Sequence, residues 1–477
     1  MRTTTRKSAA AVAVALTLVT TPGAYAQQPT TTPNSTRPNS VPPPVDKSLR
    51  PPLESPKEDV DYTQKNQCIA SNTGNKNIPN KPWGQMQLRL EEAHRFATGK
   101  DVKIAIIDTG VNEHPRLKGR VTPTGDYVET EKKGVDDCDG HGTEVAGVAA
   151  ASRDDQTGFI GAAPEAEILA IRHTSSNFHF EHPTDKSQNR PSAGKVGTLA
   201  KAIVVAAEAG AKVINISLTS CEQPTEPSRQ ERELQAAIDW AVNEKQVVIV
   251  TAAGNFTQKD GCSLQNDNED PNTVNIVASP PWYADNVLSV ASIGQSGNVS
   301  AFSVWGPWVS VAAPGEDIVT LDPRGQGLTN SSEGPSGPTR IQGTSFAAPY
   351  VAGVVALVRQ RFPDLSAKEV MNRIKATAQH PGNPGGRDNK VGAGMINPVA
   401  ALTAELPSER KDFKPAQPTQ LMTDLDPLNP PDPTPLIVAL SGTGGGVGLL
   451  LLTLFIVHTV NRNRARREAA PVKRSVL

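Results

Sequence analysis

Short apolar runs alternate through the middle of the chain with longer stretches whose apolar positions recur at helical spacing. Residues 102–107, 168–171, 213–217, 247–251 and 287–293 are almost continuously apolar and rich in β-branched side chains. That is the pattern of strands buried on both faces. Between them, 145–151, 197–209 and 231–245 carry apolar residues three and four apart, which predicts helices covering the sheet. The second of these closes on Gly210, suited to a helix C-cap, before a β-branched run begins. The alternation predicts an α/β fold, a three-layer, doubly wound, mostly parallel sheet, with no internal repeat.

The ends of the chain break this pattern. Arg2, Arg6 and Lys7 precede an apolar stretch at 9–19 and the small-x-small site Ala24-Tyr25-Ala26, predicting a signal peptide over 1–26. Residues 436–457 form a run of 22 without a charge, long enough to cross a bilayer as a helix. Arg462, Arg464, Arg466, Arg467, Lys473 and Arg474 follow, opposed only by Glu468. A transmembrane helix over 436–460 with a cytoplasmic tail at 461–477 is therefore expected, everything before it lying outside. Gly442, Gly444, Gly445, Gly446 and Gly448 would permit close packing against another membrane helix.

Proline sets the boundaries between these parts. Nine prolines fall in 29–56 and eight in 407–435, compositions that cannot bury a core. The chain thus divides into an N-terminal extension at 27–82, a globular unit at 83–406 and a spacer at 407–435. A net charge of −1 over 477 residues gives no reason to expect a nucleic-acid partner. Cys68, Cys138, Cys221 and Cys262 all fall in the exported part. An even number there favours two disulfides, with three connectivities open.

In a parallel sheet, ligands gather beyond the carboxyl ends of the strands, and four polar signatures fall there. Asp108 follows the first apolar run in Asp-Thr-Gly; His141 lies in Asp139-Gly-His-Gly-Thr; Asn255 follows Ala-Ala-Gly; Ser345 opens an apolar helix running to about 362. A serine hydroxyl becomes a useful nucleophile only when a neighbouring imidazole takes its proton. The imidazole needs a carboxylate to fix its tautomer. The oxyanion needs donors already in place, here the Asn255 amide and the serine N–H, and losing one such donor costs about 10²–10³ in turnover. Gly343 and Thr344 allow a tight entry to the helix, whose N-terminus adds partial positive charge. Pro349 is tolerable if it lies near the first turn. Read singly, each signature is weak, since Ser345 alone is equally a helix cap.

Taken together and in this order, Asp108-Thr-Gly, His141-Gly-Thr, Asn255 and Gly343-Thr-Ser-Phe-Ala-Ala-Pro349 resemble the subtilisin-like serine proteases. The resemblance spans about 83–406. It implies a subtilisin-like fold and an endopeptidase that uses Asp108, His141 and Ser345 with Asn255 at the oxyanion; the acyl-enzyme route requires no cofactor, and no metal-site residue is expected. A narrower resemblance is to the mycosins, membrane-anchored subtilases of type VII (ESX) secretion systems. It rests on Cys138-Asp-Gly-His-Gly-Thr, on Gly306-Pro-Trp-Val-Ser-Val-Ala-Ala-Pro-Gly315, on the four cysteines and on the order of segments. This implies protein substrates exported by such a system and its membrane complex as partner. A structural subunit of that complex, with cleavage secondary, is the alternative.

Cys221 and Cys262 follow strand ends that flank the expected cleft, so they can meet; that leaves Cys68 with Cys138, pinning the extension beside His141. In proteases of this kind the pocket for the residue before the cut is bordered by the segments matching Ser217, Leu218, Thr219 and Ala252, Ala253, Gly254. Neither carries an acid, so a small or apolar residue is expected there. Asp267-Asn-Glu-Asp270 lacks the spacing of a calcium loop and reads as solvated. His173, His179 and His182 read as part of an inserted polar surface stretch rather than a metal site. The extension is too short and proline-rich for a folded inhibitory pro-domain, and is expected to wrap the protease.

Overall fold

The computed structural model describes residues 39–71, 78–257, 262–267, 273–334, 337–410 and 434–468. The expected signal peptide, most of the spacer and the end of the basic tail lie outside these residues. All five apolar runs form strands, and two more join them. In chain order they are β1 (Lys103–Asp108), β2 (Val121–Asp126), β3 (Glu167–Arg172), β4 (Val213–Ile216), β5 (Val248–Ala252), β6 (Val287–Ile293) and β7 (Val309–Pro314). They make one sheet in the order β7-β6-β5-β4-β1-β3-β2, and every neighbouring pair is parallel. The additional strands are its two edges. β2 reads Val-Thr-Pro-Thr-Gly-Asp and is half exposed; Pro123 is tolerable because an edge strand need not donate on both sides.

The order reverses around β1. The chain places β2 and β3 to one side, then crosses to lay β4 on the other, so a crevice opens at the carboxyl ends there. Helices α1 (His141–Ala150) and α4 (Thr344–Arg361) pack against each other, as do α2 (Val196–Glu208) and α3 (Arg229–Asn243). Sixteen of the 18 residues of α4 are buried, as expected of a helix apolar on all sides. It lies along β4, β5, β6 and β7 and brings its first turn to the crevice. A fifth helix, α5 (Ala367–Ala376), follows a capping box made by Ser366 and Glu369, a start signal the apolar pattern alone passes over.

The extension runs over the surface of this unit. Asn39 exchanges hydrogen bonds with the Val274 backbone, Gln235 donates to the Pro43 carbonyl, and Arg50 stacks over Trp240. Thr63–Gln64 pairs antiparallel with Phe178–His179. Cys68 is joined to Cys138, and Cys221 to Cys262. Separately, residues Thr434–Glu468 form helix α6, of which Ile437–Arg467 is long and apolar enough to cross a membrane.

Candidate active site

Asp108 ends β1 with its side chain fully buried. One carboxylate oxygen accepts the Thr109 N–H at 2.8 Å and bonds to His141 Nδ1 at 2.7 Å. The bond to a carboxylate places the proton on Nδ1 and leaves Nε2 as an acceptor. The other oxygen is buried without a partner among the described residues.

His141 opens α1, and a second buried aspartate sets where that helix begins. Asp137 accepts from Thr109 Oγ1 at 2.8 Å, Gly140 N at 2.7 Å, Thr143 N at 2.8 Å and Thr143 Oγ1 at 2.6 Å. Thr109 Oγ1 accepts the Gly142 N–H at 2.8 Å, so the end of β1 and the start of α1 form one hydrogen-bonded block. Position 142 must be glycine, because a Cβ there would lie 2.0 Å from the Gly110 carbonyl oxygen. Asp137, Thr109 and Thr143 escaped the sequence reading. Their signal was the acidic cluster 136–139 just ahead of a helix start, the pattern of an N-terminal cap.

Burial disfavours a charged imidazole at His141, but the Asp108 charge and hydrogen bond outweigh it. With Glu144 and Asp137 adding to the same field, the imidazole's pKa rises to about 9. The side chain keeps 29 % exposure, so solvent screens part of this pull. Glu144 lies three residues further on α1 and is 4 % exposed. Burial raises its carboxyl to about 8, with His141 opposing.

Ser345 is the second residue of α4, and its hydroxyl donates to the Ser217 carbonyl at 3.1 Å. Pro349 is the sixth residue of the helix, just past its first turn. A proline there withholds the N–H that would bond the carbonyl four residues back, which is that of Ser345. Ser217 Oγ supplies the missing donor at 2.7 Å and is itself held by Asn215 Nδ2 at 2.9 Å. A side chain following β4 thus repairs the helix and fixes the backbone of Ser345.

Asn255 is oriented through its oxygen, which accepts from Thr344 N and Thr344 Oγ1, each at 3.0 Å. Its amide nitrogen has no acceptor among the described residues. The N–H of Ser345, in the first turn, has no carbonyl to bond within the helix. Gly343 adopts φ 152°, and a Cβ there would lie 3.4 Å from Asn255 Nδ2.

His141, Asn255 and Ser345 line one cavity of about 1030 Å³. Ser217, Leu218, Thr219 and Gly254 border it too. Ala252 and Ala253, expected with them, do not: both are buried at the end of β5, and the Ala252 carbonyl accepts from Thr219 Oγ1. The Cys221–Cys262 disulfide stands on one wall, while Gln67, Ile69 and Ala70 of the extension reach the rim. Lys195 and Asp139 bring charge to the lining, the first paired with Asp59 at 3.1 Å and the second held by Ser175 and Ser176. His173 is buried at the cavity, not on the surface, with Nε2 bonded to the Lys195 carbonyl and Thr198. His179 and His182 make local bonds elsewhere. Among the described residues no three potential metal ligands converge; of the acidic run at 267–270 only Asp267 is described, and it accepts from Trp305 Nε1.

Residues 99–394 match the model of the subtilase family. Mycosin-1 of Mycolicibacterium smegmatis is 44 % identical over 388 residues, covering 78 % of this chain and 84 % of that protein. The crystal structure of MycP1 from the ESX-1 type VII secretion system superposes with a TM-score of 0.70 at 43 % identity, over 78 % of this chain and 100 % of that one. A chain in the intact ESX-5 inner membrane complex superposes with a TM-score of 0.71 at 37 % identity, over 88 % of this chain and 99 % of that one.

Proposed function

The chain belongs to the subtilase family, in its mycosin branch, and is a serine endopeptidase; from that premise we propose that Ser345 is its nucleophile, His141 the base and Asp108 the group that orients it. The observation that carries this reading is the 2.7 Å bond from His141 Nδ1 to a fully buried Asp108, with Ser345 on the same cavity. In this reaction the Ser345 hydroxyl turns from the Ser217 carbonyl toward His141 Nε2. Its oxygen attacks the scissile carbonyl while Nε2 takes the proton. Asn255 Nδ2 and the Ser345 N–H hold the oxyanion. His141 then returns the proton to the leaving amine, and water repeats the sequence to free the enzyme.

The pocket before the cut takes a small or apolar residue, since Ser217, Leu218, Thr219 and Gly254 bring no charge to it. A peptide library returning Arg or Lys at that position would refute this. Helix α6 anchors the enzyme in the membrane, the peptidase unit lies outside the cytoplasm, and the basic residues from 462 onward stay inside. The substrates are proteins exported by a type VII system, and the partner is its membrane complex. Support comes from the relative seated in the ESX-5 inner membrane complex. That same likeness favours a second reading, a structural subunit whose cleavage is secondary. Comparing cells carrying Ser345→Ala with a full deletion separates the two. Export lost in both means that proteolysis is required; export kept only in the first means scaffold.

A further inference from the structure

The catalytic residues occupy the carboxyl ends of the strands. A second cavity, of about 570 Å³, opens at the opposite edge of the sheet. Lys100, just ahead of β1, Lys212, just ahead of β4, and Gln246, just ahead of β5, border it, together with Arg359 near the end of α4. Its charged lining is Lys100, Lys212 and Arg359 against Asp101 and Asp364, so three cations face two acids and one positive charge is in excess. The two lysines and the two acids form no ion pairs among the described residues.

Arg359 is the unusual member. It is 7 % exposed and forms no ion pair among the described residues. Nη1 donates to the Leu365 carbonyl at 2.5 Å and Nη2 to that of Gln246, while Nε is buried without a partner among the described residues. Other buried arginines in this chain have a counter-charge or a full set of acceptors, although Arg172 Nη1 also lacks a partner among the described residues. Arg172 meets Asp126 and Glu129, and Arg373 meets Glu409. Arg116, which also bonds carbonyls, uses all three nitrogens. A buried cation lacking a counter-charge is costly, and burial alone pulls the Arg359 pKa down to about 10. Asp101 and Gln246, on the rim, hold left-handed backbone at φ 61° and 57°, strain that concentrates where a fold shapes a site.

We infer that this cavity binds a phosphate-type oxyanion, Arg359 supplying the buried charge and Lys100 and Lys212 the charges at its mouth. A phosphate-type oxyanion offers three cationic side chains more oxygens than a carboxylate does, and its negative charge answers the one in excess. Guanidinium groups bond its oxygens through paired N–H donors, and lysines act as point charges. Free phosphate compounds and phospholipid headgroups share this chemistry.

The test uses the full chain in maltoside micelles, titrated calorimetrically with pyrophosphate and, separately, with a short-chain phosphatidic acid below its micelle concentration. Saturable one-to-one binding is expected for at least one probe, weakening as salt is added. Lys100→Ala combined with Lys212→Ala alters only exposed side chains, so folding and peptidase activity should hold while affinity falls roughly tenfold or more. Arg359→Gln should abolish binding; if it unfolds the chain, the lysine pair still decides. Binding of pyrophosphate alone assigns a free phosphate compound, binding of the lipid alone assigns a headgroup, and mutual competition assigns the shared oxyanion site. Absence of saturable binding by both probes, or affinity unchanged in the lysine pair, overturns the inference.

Discussion

Two aspartates end the strands on either side of β3, and both pair in register with Arg172. Asp126 is used completely. It takes Arg172 Nε on both oxygens at 3.0 and 2.8 Å, and the N–H groups of Val128, Glu129 and Gly134. Asp108, equally buried, accepts one backbone N–H and the imidazole of His141, and its second oxygen has no partner among the described residues. The same strand-end position therefore yields a closed structural ion pair in one case and an open carboxylate in the other. A buried charge already neutralised holds the fold. One left partly unpaired is available to stabilise a positive charge that forms on its neighbour.

Exchanging the two kinds of damage tests this contrast. Asp108→Asn should lower kcat by about 10⁴ with thermal unfolding nearly unchanged, read by peptide hydrolysis and circular dichroism. Asp126→Ala should do the reverse. Removing the acid leaves Arg172 buried with only Glu129, at a cost of about 3–5 kcal/mol in urea unfolding. Equal losses of stability in both variants would end the comparison. Asn255→Ala extends it to the oxyanion, with a fall in kcat of about 10²–10³ at little change in KM.

The smallest expected effect is in pH dependence. In the proposed mechanism only neutral His141 takes the serine proton, so a raised pKa means activity is lost as pH falls through the folded value. The lower limb of kcat/KM should therefore lie above the ordinary 6.5. Glu144 carries its charge only above about pH 8, so Glu144→Gln should move that limb toward acid only where it reaches that range, by less than about one pH unit. A limb unmoved by that change would show that Glu144 does not share the field that Asp108 sets.

The sequence alone determined the layered parallel sheet, the apolar span near the carboxyl end, and the residue types at the strand ends. These depend on short-range periodicity and on junction residues such as Asp108, Asn255 and Ser345, whose chemistry does not suit a core. Tertiary structure decided the rest. The edge strand β2 carries no apolar signal because its first residues stay partly exposed to solvent, whereas the other edge, β7, is covered and apolar. Asp137 became the hinge of the site by collecting donors from β1 and from the start of α1. Pro349 is accommodated only because Ser217, 128 positions from Ser345, brings a hydroxyl to the carbonyl that Pro349 leaves unbonded. Arg359 faces an uncompensated cavity because strand starts far apart in the chain converge there. Each of these is a pairing between distant segments, and no local pattern records which segments will meet.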